Sequence, residues 1–365
     1  MVPFLDLNAA HRELEAEIET AMLRVLRDGP FVLGPELEAF EAAFADYCQA
    51  RWCVGVGNGQ DALVLGLRGL GVGPGDEVIV PAHTFVATWL AVSQVGAVPV
   101  PVEPGGNSYT IDAARIEAAI TAKTRAVIPV HLYGQPADLD PILELARHHR
   151  IRVLEDAAQA HGAVYKDQRI GAHGDAVAWS FYPAKNLGAL GDGGAVTTDD
   201  AELAARLRRL RNYGSDEKYI HQTKGVNSRL DPLQAAVLRV KLRHLDAWNE
   251  RRRQIAEIYM TGLAGTGLRL PVVSEWASSV WHLFVVGTQD RDQLLATLSE
   301  RGIGAVIHYP VPPHRQAAYD ERGLRPGSLP ISERLADEVL SLPIGPHLAA
   351  ADAHLVVDVI ARWAR

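Results

Sequence analysis

From about residue 52 onward, short apolar runs alternate with amphipathic helical stretches, and this alternation limits the possible folds more than any other feature of the 365-residue chain. "WCVGVG" (52–57) leads into "NGQDALVLGLRGLG", where Leu63, Leu67 and Leu70 recur at helical spacing. "GPGDEVIVPA" gives a turn and a strand, and the helical "HTFVATWLAVSQVG" follows. "AVPVPVE" reads as extended, and "TIDAARIEAAI" opens on a capping-type Thr-x-Asp before continuing as helix. "RAVIPVHLYG" is a strand, "ADLDPILELARHHR" a helix, and "IRVLEDAAQAHG" a strand that runs into a loop. Strands separated by helices imply an α/β fold, with a mainly parallel sheet covered on both faces. Such sheets bind ligands beyond the carboxyl ends of their strands. The ends at 57–60, 84–85, 156–161 and 180–185 should therefore converge. "DAVAWSFYP" and "GGAVTTD" flank the last of these loops as a hairpin-like pair.

A long helical pattern, "DPLQAAVLRVKLRHLDAWNERRRQIAEIYMTGL", is expected to carry the chain out of this layer. It divides a large domain with an N-terminal arm, residues 1–245, from a smaller C-terminal domain, residues 246–365. The latter holds a strand-like "VWHLFVVG", a helical "RDQLLATLSERG", a Pro-rich loop "HYPVPPHR" and a closing helix. The formal charge of −8 gives no sign of the basic surface that nucleic-acid binding needs, and the run Arg251–Gln254 reads as a solvated helix face. Cys48 and Cys53 are too few for a disulfide framework and lack metal-ligand spacing, so no metal is expected. No run reaches the ~18 apolar residues of a membrane span, and the N-terminus lacks an apolar signal core. A cytoplasmic protein with no membrane partner is the expectation.

The chemistry-bearing candidates sit at the converging strand ends. Only six of the 36 Lys+Arg are lysines, and one of them, Lys185, stands in "SFYPAKNLGALGDGGAV" between a strand end and a loop with four glycines. In so arginine-biased a chain this suggests a task arginine cannot do, such as attack of a free amine on a carbonyl. The plain alternative is a surface lysine in a loop. Asp156 closes the strand of "LEDAAQAHGA" and could keep a pyridinium nitrogen protonated, or else cap a helix. Glu155 must face the other way. Gln159 and His161 follow within reach of a phenolic oxygen or a substrate. "GNGQDAL" (57–63) opens a helix whose free N–H groups suit phosphate, but it is not GxGxxG and does not support a nicotinamide site. Phe85 could stack on a planar cofactor or belong to the core.

Together these residues resemble the pyridoxal-phosphate-dependent nucleotide-sugar aminotransferases, a branch of the aspartate aminotransferase fold. The likeness runs from "PFLDL" and "GPELEAFEAAFADY" to "HYPVPPH" and "LSLPIGPHL", and is most specific in "EDAAQAHGA", "SFYPAKNLGALGDGGAV" and "NSRLDPLQAAVL". It implies pyridoxal 5'-phosphate as cofactor and fold type I architecture. By the resemblance Lys185 carries the cofactor as a Schiff base and moves the substrate proton. Asp156 would partner the pyridinium, Gln159 would lie near the ring oxygen, and Phe85 would stack on the ring. Ser180 would bind the phosphate with the backbone of Gly59 and Gln60. Many members have a hydroxyl residue where Gln60 stands, which puts a side-chain contact there in doubt. Asn227 resembles a phosphate contact donated by a neighbouring subunit, which implies a homodimer with shared sites.

The same likeness implies that L-glutamate is the amino donor, with Arg229 a partner for its carboxylate, and that a keto sugar nucleotide accepts the amine. A branch with histidine in place of the lysine performs deoxygenation, and Lys185 argues against it. "PAHTFVATWLAV", "PVPVEP" and "RNYGSDEKYIHQTKGVNSRLD" look most like enzymes acting at sugar C3 on a dTDP carrier. Tyr182, Lys218, His308 and Tyr309 would then meet the pyrophosphate or the hexose, with His161 within reach of the substrate. Lys218 could equally be solvent-exposed, and His314 structural. The alternatives are a C4 or cyclitol aminotransferase of the same family, and a cofactor-binding regulator that retains the fold.

Overall fold

The computed structural model describes residues 1–105 and 108–365. Among these, the strands in chain order are β1 (Trp52–Val56), β2 (Glu77–Pro81), β3 (Val98–Val102), β4 (Thr124–Val127) and β5 (Arg152–Asp156). Then come β6 (Val164–Tyr165), β7 (Gln168–Arg169), β8 (Ala176–Ser180), β9 (Gly194–Thr198), β10 (Ala277–Ser278), β11 (Phe284–Gly287) and β12 (Val339–Leu342). Seven of them build one sheet in the order β1-β9-β8-β5-β4-β2-β3. β9 alone is reversed, pairing antiparallel with both β1 and β8. Ser180 faces Gly194 across the β8–β9 pair, so the loop between them opens at the carboxyl end of the parallel strands.

The sheet separates two cores, as expected of a layer covered on both sides. On one face the helix Gly59–Gly69 lays Leu63, Leu65 and Leu67 against Leu154 and Val196. On the other, Phe40 and Phe44 of the helix Pro35–Tyr47 meet Trp179 and Phe181. Phe181 stands edge-on to Phe40 at 5.3 Å and to Phe44 at 5.2 Å. Each such aromatic pair adds about 0.5–1.5 kcal/mol beyond area burial. This anchor fixes where the β8–β9 loop starts.

The expected single long helix is two, Pro232–Leu242 and Leu245–Gly262. The first packs Ala236, Val237 and Val240 against Ile18, Ala21 and Val25 of the helix Glu15–Asp28. The second buries Ile255, Ala256 and Tyr259 in the C-terminal core with Phe284, Leu340 and Val356. One straight rod could not serve both, and the chain bends at Arg243 and His244. Val2 joins that C-terminal core: its N–H donates to Gly302 O at 2.8 Å, and its carbonyl accepts from Gly304 N at 2.8 Å. Val2 thus joins the N-terminus to the C-terminal core, while Phe4 packs against the core of the large sheet.

The run Arg251–Gln254 is not one solvated face. Arg251 and Arg253 pair at the surface with Glu13 and Glu250, but Arg252 is only 3% exposed. Cys48 and Cys53 are both buried free thiols. No helix among the described residues is long and apolar enough to cross a membrane.

Candidate active site

The four strand ends converge as the sheet topology requires. Gly59 shows how closely: a Cβ there would lie 2.5 Å from Ser180 Cβ, so only glycine lets the helix start approach the end of β8. Asn58 caps that helix, its Oδ1 accepting from Asp61 N at 2.8 Å. Gly57 N donates to Ser228 Oγ at 2.9 Å, and Ser228 in turn donates to Asp61 Oδ2 at 2.6 Å. These bonds hold the turn while leaving the amides of Gly59 and Gln60 at the helix N-terminus, beside the Ser180 hydroxyl. Such a cradle suits an anion.

Lys185 lies in a tight turn whose backbone N–H donates to Tyr182 O at 2.8 Å. The next residue fastens the turn from below. Asn186 Nδ2 donates to Asn249 Oδ1 and to Val280 O, both at 2.9 Å, and Asn186 Oδ1 accepts from His282 Nδ1 at 3.1 Å. Burial draws the Lys185 amine from 10.5 down to about 8, against the opposing pull of the Asp156 charge. A substantial free-amine fraction at mildly alkaline pH follows.

Asp156 is 6% exposed. Its Oδ2 accepts from Thr88 Oγ1 at 2.9 Å and its Oδ1 from Ala158 N at 3.2 Å. Thr88 has one hydroxyl proton, so Thr84 Oγ1, 3.1 Å away, must donate to it. Burial raises the Asp156 carboxyl above its ordinary range, while its hydrogen bonds and the charge of Lys185 oppose this. No helix follows Asp156, so the capping alternative falls. Glu155 points to the opposite face, bonded to His131 Nε2 at 2.9 Å and Gly174 N at 2.6 Å.

Gln159 Oε1 accepts from Tyr133 N at 2.6 Å, which commits its Nε2 as the donor facing the groove, now to Tyr309 Oη at 3.0 Å. Tyr133 Oη donates to His308 O, so His83 Nε2, 2.8 Å from that hydroxyl, carries the proton. Burial lowers His83 to about 4, consistent with this neutral tautomer. His308 Nδ1 lies 2.8 Å from Ser341 Oγ, and burial and then Lys185 bring it down to about 4. Phe85 is 52% exposed, with its ring centroid 5.4 Å from that of Tyr309. Tyr182 is 56% exposed at the mouth of the Lys185 loop.

These contacts gather Gly59, Gln60, Phe85, Asp156, Gln159, Ser180, Tyr182, Lys185, His308 and Tyr309 about the carboxyl ends of the strands. Three of the expected site residues, Lys218, Asn227 and Arg229, lie outside these contacts, and a fourth, His161, lies buried behind Ser180 and Lys185. His161 is wholly enclosed among Phe44, Trp179 and Phe181, with burial lowering its pKa to about 3. Lys218 is exposed, its Nζ 5.0 Å over the ring of Tyr219. Asn227 is exposed beside the inward-facing Ser228. Arg229 donates to Asn212 Oδ1 at 2.8 Å and lies over Tyr213. Reading the sequence missed Thr88, Tyr133, His83 and Asn186, although His83 and Thr88 stand inside "PAHTFVATWLAV", Tyr133 inside "RAVIPVHLYG" and Asn186 inside "SFYPAKNLGALGDGGAV".

The groove fits pyridoxal phosphate on its own chemistry. It holds a glycine-only anion cradle, a buried carboxyl, a lysine amine drawn toward neutrality and an exposed aromatic face.

Residues 12–361 match the DegT/DnrJ/EryC1/StrS aminotransferase family. The chain is 58% identical to the dTDP-3-amino-3,4,6-trideoxy-alpha-D-glucose transaminase of Streptomyces venezuelae, covering 100% of this chain and 96% of that one. It is 51% identical to the dTDP-3-amino-3,6-dideoxy-alpha-D-galactopyranose transaminase of Aneurinibacillus thermoaerophilus, covering 100% and 99%. The crystal structure of S. venezuelae DesV in complex with a ketimine intermediate superposes with a TM-score of 0.98 at 58% identity, covering 100% of this chain and 98% of that one.

Proposed function

The chain belongs to the DegT/DnrJ/EryC1/StrS aminotransferase family, and from that membership we propose that it transfers an amino group from L-glutamate to C3 of a dTDP-linked 3-keto-deoxyhexose. The products are the dTDP-3-amino sugar and 2-oxoglutarate. The observation that carries the reading is a free-amine-prone Lys185 facing the buried Asp156 at the end of β5. The choice of C3 rests on end-to-end similarity to two transaminases named for 3-amino sugars.

The cofactor is pyridoxal phosphate, which supplies an electrophilic carbonyl carbon and a ring able to absorb electrons. Lys185 would hold it covalently and yield it to the incoming amine. Once released, the same Nζ would be the base that moves the proton at the carbon bearing the substrate nitrogen. Asp156 would keep the ring nitrogen protonated, held in place by Thr88 and Ala158 N. Gln159 Nε2 would donate to the ring oxygen, since Tyr133 N has fixed its amide orientation. Phe85 would cover one ring face. The amides of Gly59 and Gln60 with Ser180 Oγ would take the phosphate.

Tyr182, His308 and Tyr309 border the space left for the sugar nucleotide. Asn227, Lys218 and Arg229 make no contact with the Lys185–Asp156 pair within one chain, so we assign them to the site of a neighbouring subunit in a homodimer. His161, being enclosed, would act on the site through the packing beneath it rather than by touching substrate.

An absorbance titration tests the first half-reaction. Holoenzyme should show a visible band of lysine-linked cofactor that bleaches on adding L-glutamate, and Lys185→Ala should show no such band. A band indifferent to glutamate would exclude that donor. Product regiochemistry, read by NMR after supplying a dTDP-3-keto sugar, separates C3 from C4 action.

A further inference from the structure

Beneath the Lys185 loop lies a second cluster of buried charge that the reaction does not use. Lys241 is 3% exposed, and its ammonium donates to Gly188 O at 2.7 Å and to His11 Nε2 at 3.2 Å. One N–H remains. Arg252, also 3% exposed, directs only Nη1 to protein acceptors, the carbonyls of Trp281, His282 and Ile344 at 3.3, 3.4 and 3.4 Å. Its Nε and Nη2 edge has no hydrogen-bond partner among the described residues.

Both cations line one cavity of about 30 Å³, bordered also by Leu5 and His11 of the N-terminal arm, by Ala184 and Lys185 of the loop, and by His347. Neither has a carboxylate within ion-pair distance among the described residues. Asp6 also borders the cavity, but its carboxylate is paired with Arg12 and caps the arm helix. Glu13 is engaged by Arg251 and His347. Burial accordingly draws Lys241 down to about 8 and Arg252 to about 10. Two largely buried cations that share a cavity without a carboxylate partner are an arrangement that a bound anion would stabilise.

We propose that this cavity binds a small inorganic monovalent anion, chloride under ordinary conditions, between Lys241 Nζ and the Nε–Nη2 edge of Arg252. The cavity is small, about 30 Å³, with room for a small inorganic ion. The bound ion fastens the N-terminal arm, through His11 and Lys241, to the loop that carries Lys185. The site is independent of which sugar the enzyme uses.

Crystals of holoenzyme grown in sodium bromide should show an anomalous peak in this cavity. In solution, replacing gluconate by chloride at constant ionic strength should raise Tm by about 2 °C in wild type. That dependence should vanish in Lys241→Met. Absence of an anomalous peak, or identical melting in both salts, overturns the proposal. A bromide peak without any effect in solution marks an adventitious ion only and overturns it too. Stabilisation by formate but not by chloride would assign the cavity to a carboxylate instead. The wild-type measurements decide the matter even where Lys241→Met fails to fold.

Discussion

At the scale of single residues, the chemistry turns on how far a buried amine can be brought toward neutrality. Only the free amine of Lys185 can attack a carbonyl, and burial lowers its pKa to about 8 while Asp156 pulls the other way. The rate at which apoenzyme takes up pyridoxal phosphate should therefore rise with pH around a midpoint near 8, rather than near the ordinary 10.5. Asp156→Asn removes the charge that favours the ammonium, so the midpoint should move to lower pH. Stopped-flow absorbance of apoenzyme mixed with cofactor reads both, and a midpoint that rises or stays put would show that Asp156 does not bear on Lys185. In turnover, Lys185→Ala should lower kcat by ~10³-fold or more, since it removes both the attachment point and the proton carrier. Steady-state assays that retain a tenth of wild-type activity would take Lys185 out of the mechanism. The lysine itself was legible because its chemistry conflicts with its surroundings: a rare residue type placed at a glycine-rich strand end.

At the scale of elements, what the sequence reveals depends on whether a signal is local. Apolar period and turn residues located the strands Trp52–Val56, Glu77–Pro81 and Arg152–Asp156, and β-sheet topology then required their ends to meet. Arg252 could have been read too. It continues the buried positions Leu245, Trp248 and Asn249 toward Ile255 and Tyr259, whereas successive arginines on a helix point about 100° apart. The charge run hid that stripe. The bend at Arg243 and His244 carries no Gly or Pro, and arises because two different cores claim the two halves. Thr88, Tyr133 and His83 were unreadable for another reason: each serves through partners that lie far away in sequence, Asp156 for Thr88, Gln159 and His308 for Tyr133, and Tyr133 for His83. Close approach of two elements makes its own prediction. A methyl group at position 59 would sit 2.5 Å from Ser180 Cβ, so Gly59→Ala should push the helix start off the end of β8. Cofactor retained after dialysis should fall at least about tenfold, while Tm of the apoenzyme changes little by comparison. If Gly59→Ala holds cofactor like wild type, the phosphate does not sit in this cradle.

At the scale of the whole molecule, Asn227, Lys218 and Arg229 lie outside the contacts that join Lys185 and Asp156 in one chain. Asn227 is exposed beside Ser228, which faces inward to Gly57, and Arg229 is turned toward Asn212 and Tyr213. The same region leaves Tyr213, Tyr219 and Ile220 exposed, as are Phe31 and Val32 near the arm. Large exposed apolar side chains mark interaction surfaces when they cluster, and a second copy of the chain would bring Asn227 to a neighbour's phosphate cradle. Mixing two defective variants distinguishes this arrangement from a self-sufficient monomer. Lys185→Ala and Asn227→Ala homodimers should each be impaired, the second through loss of cofactor. A hybrid dimer places both substitutions in one site and leaves the other with wild-type Lys185 and wild-type Asn227. Random reassortment of equal amounts should thus restore about a quarter of wild-type activity. Activity no higher than the mean of the two variants would mean that each chain builds its own site, and Asn227 would then have no part in its neighbour's.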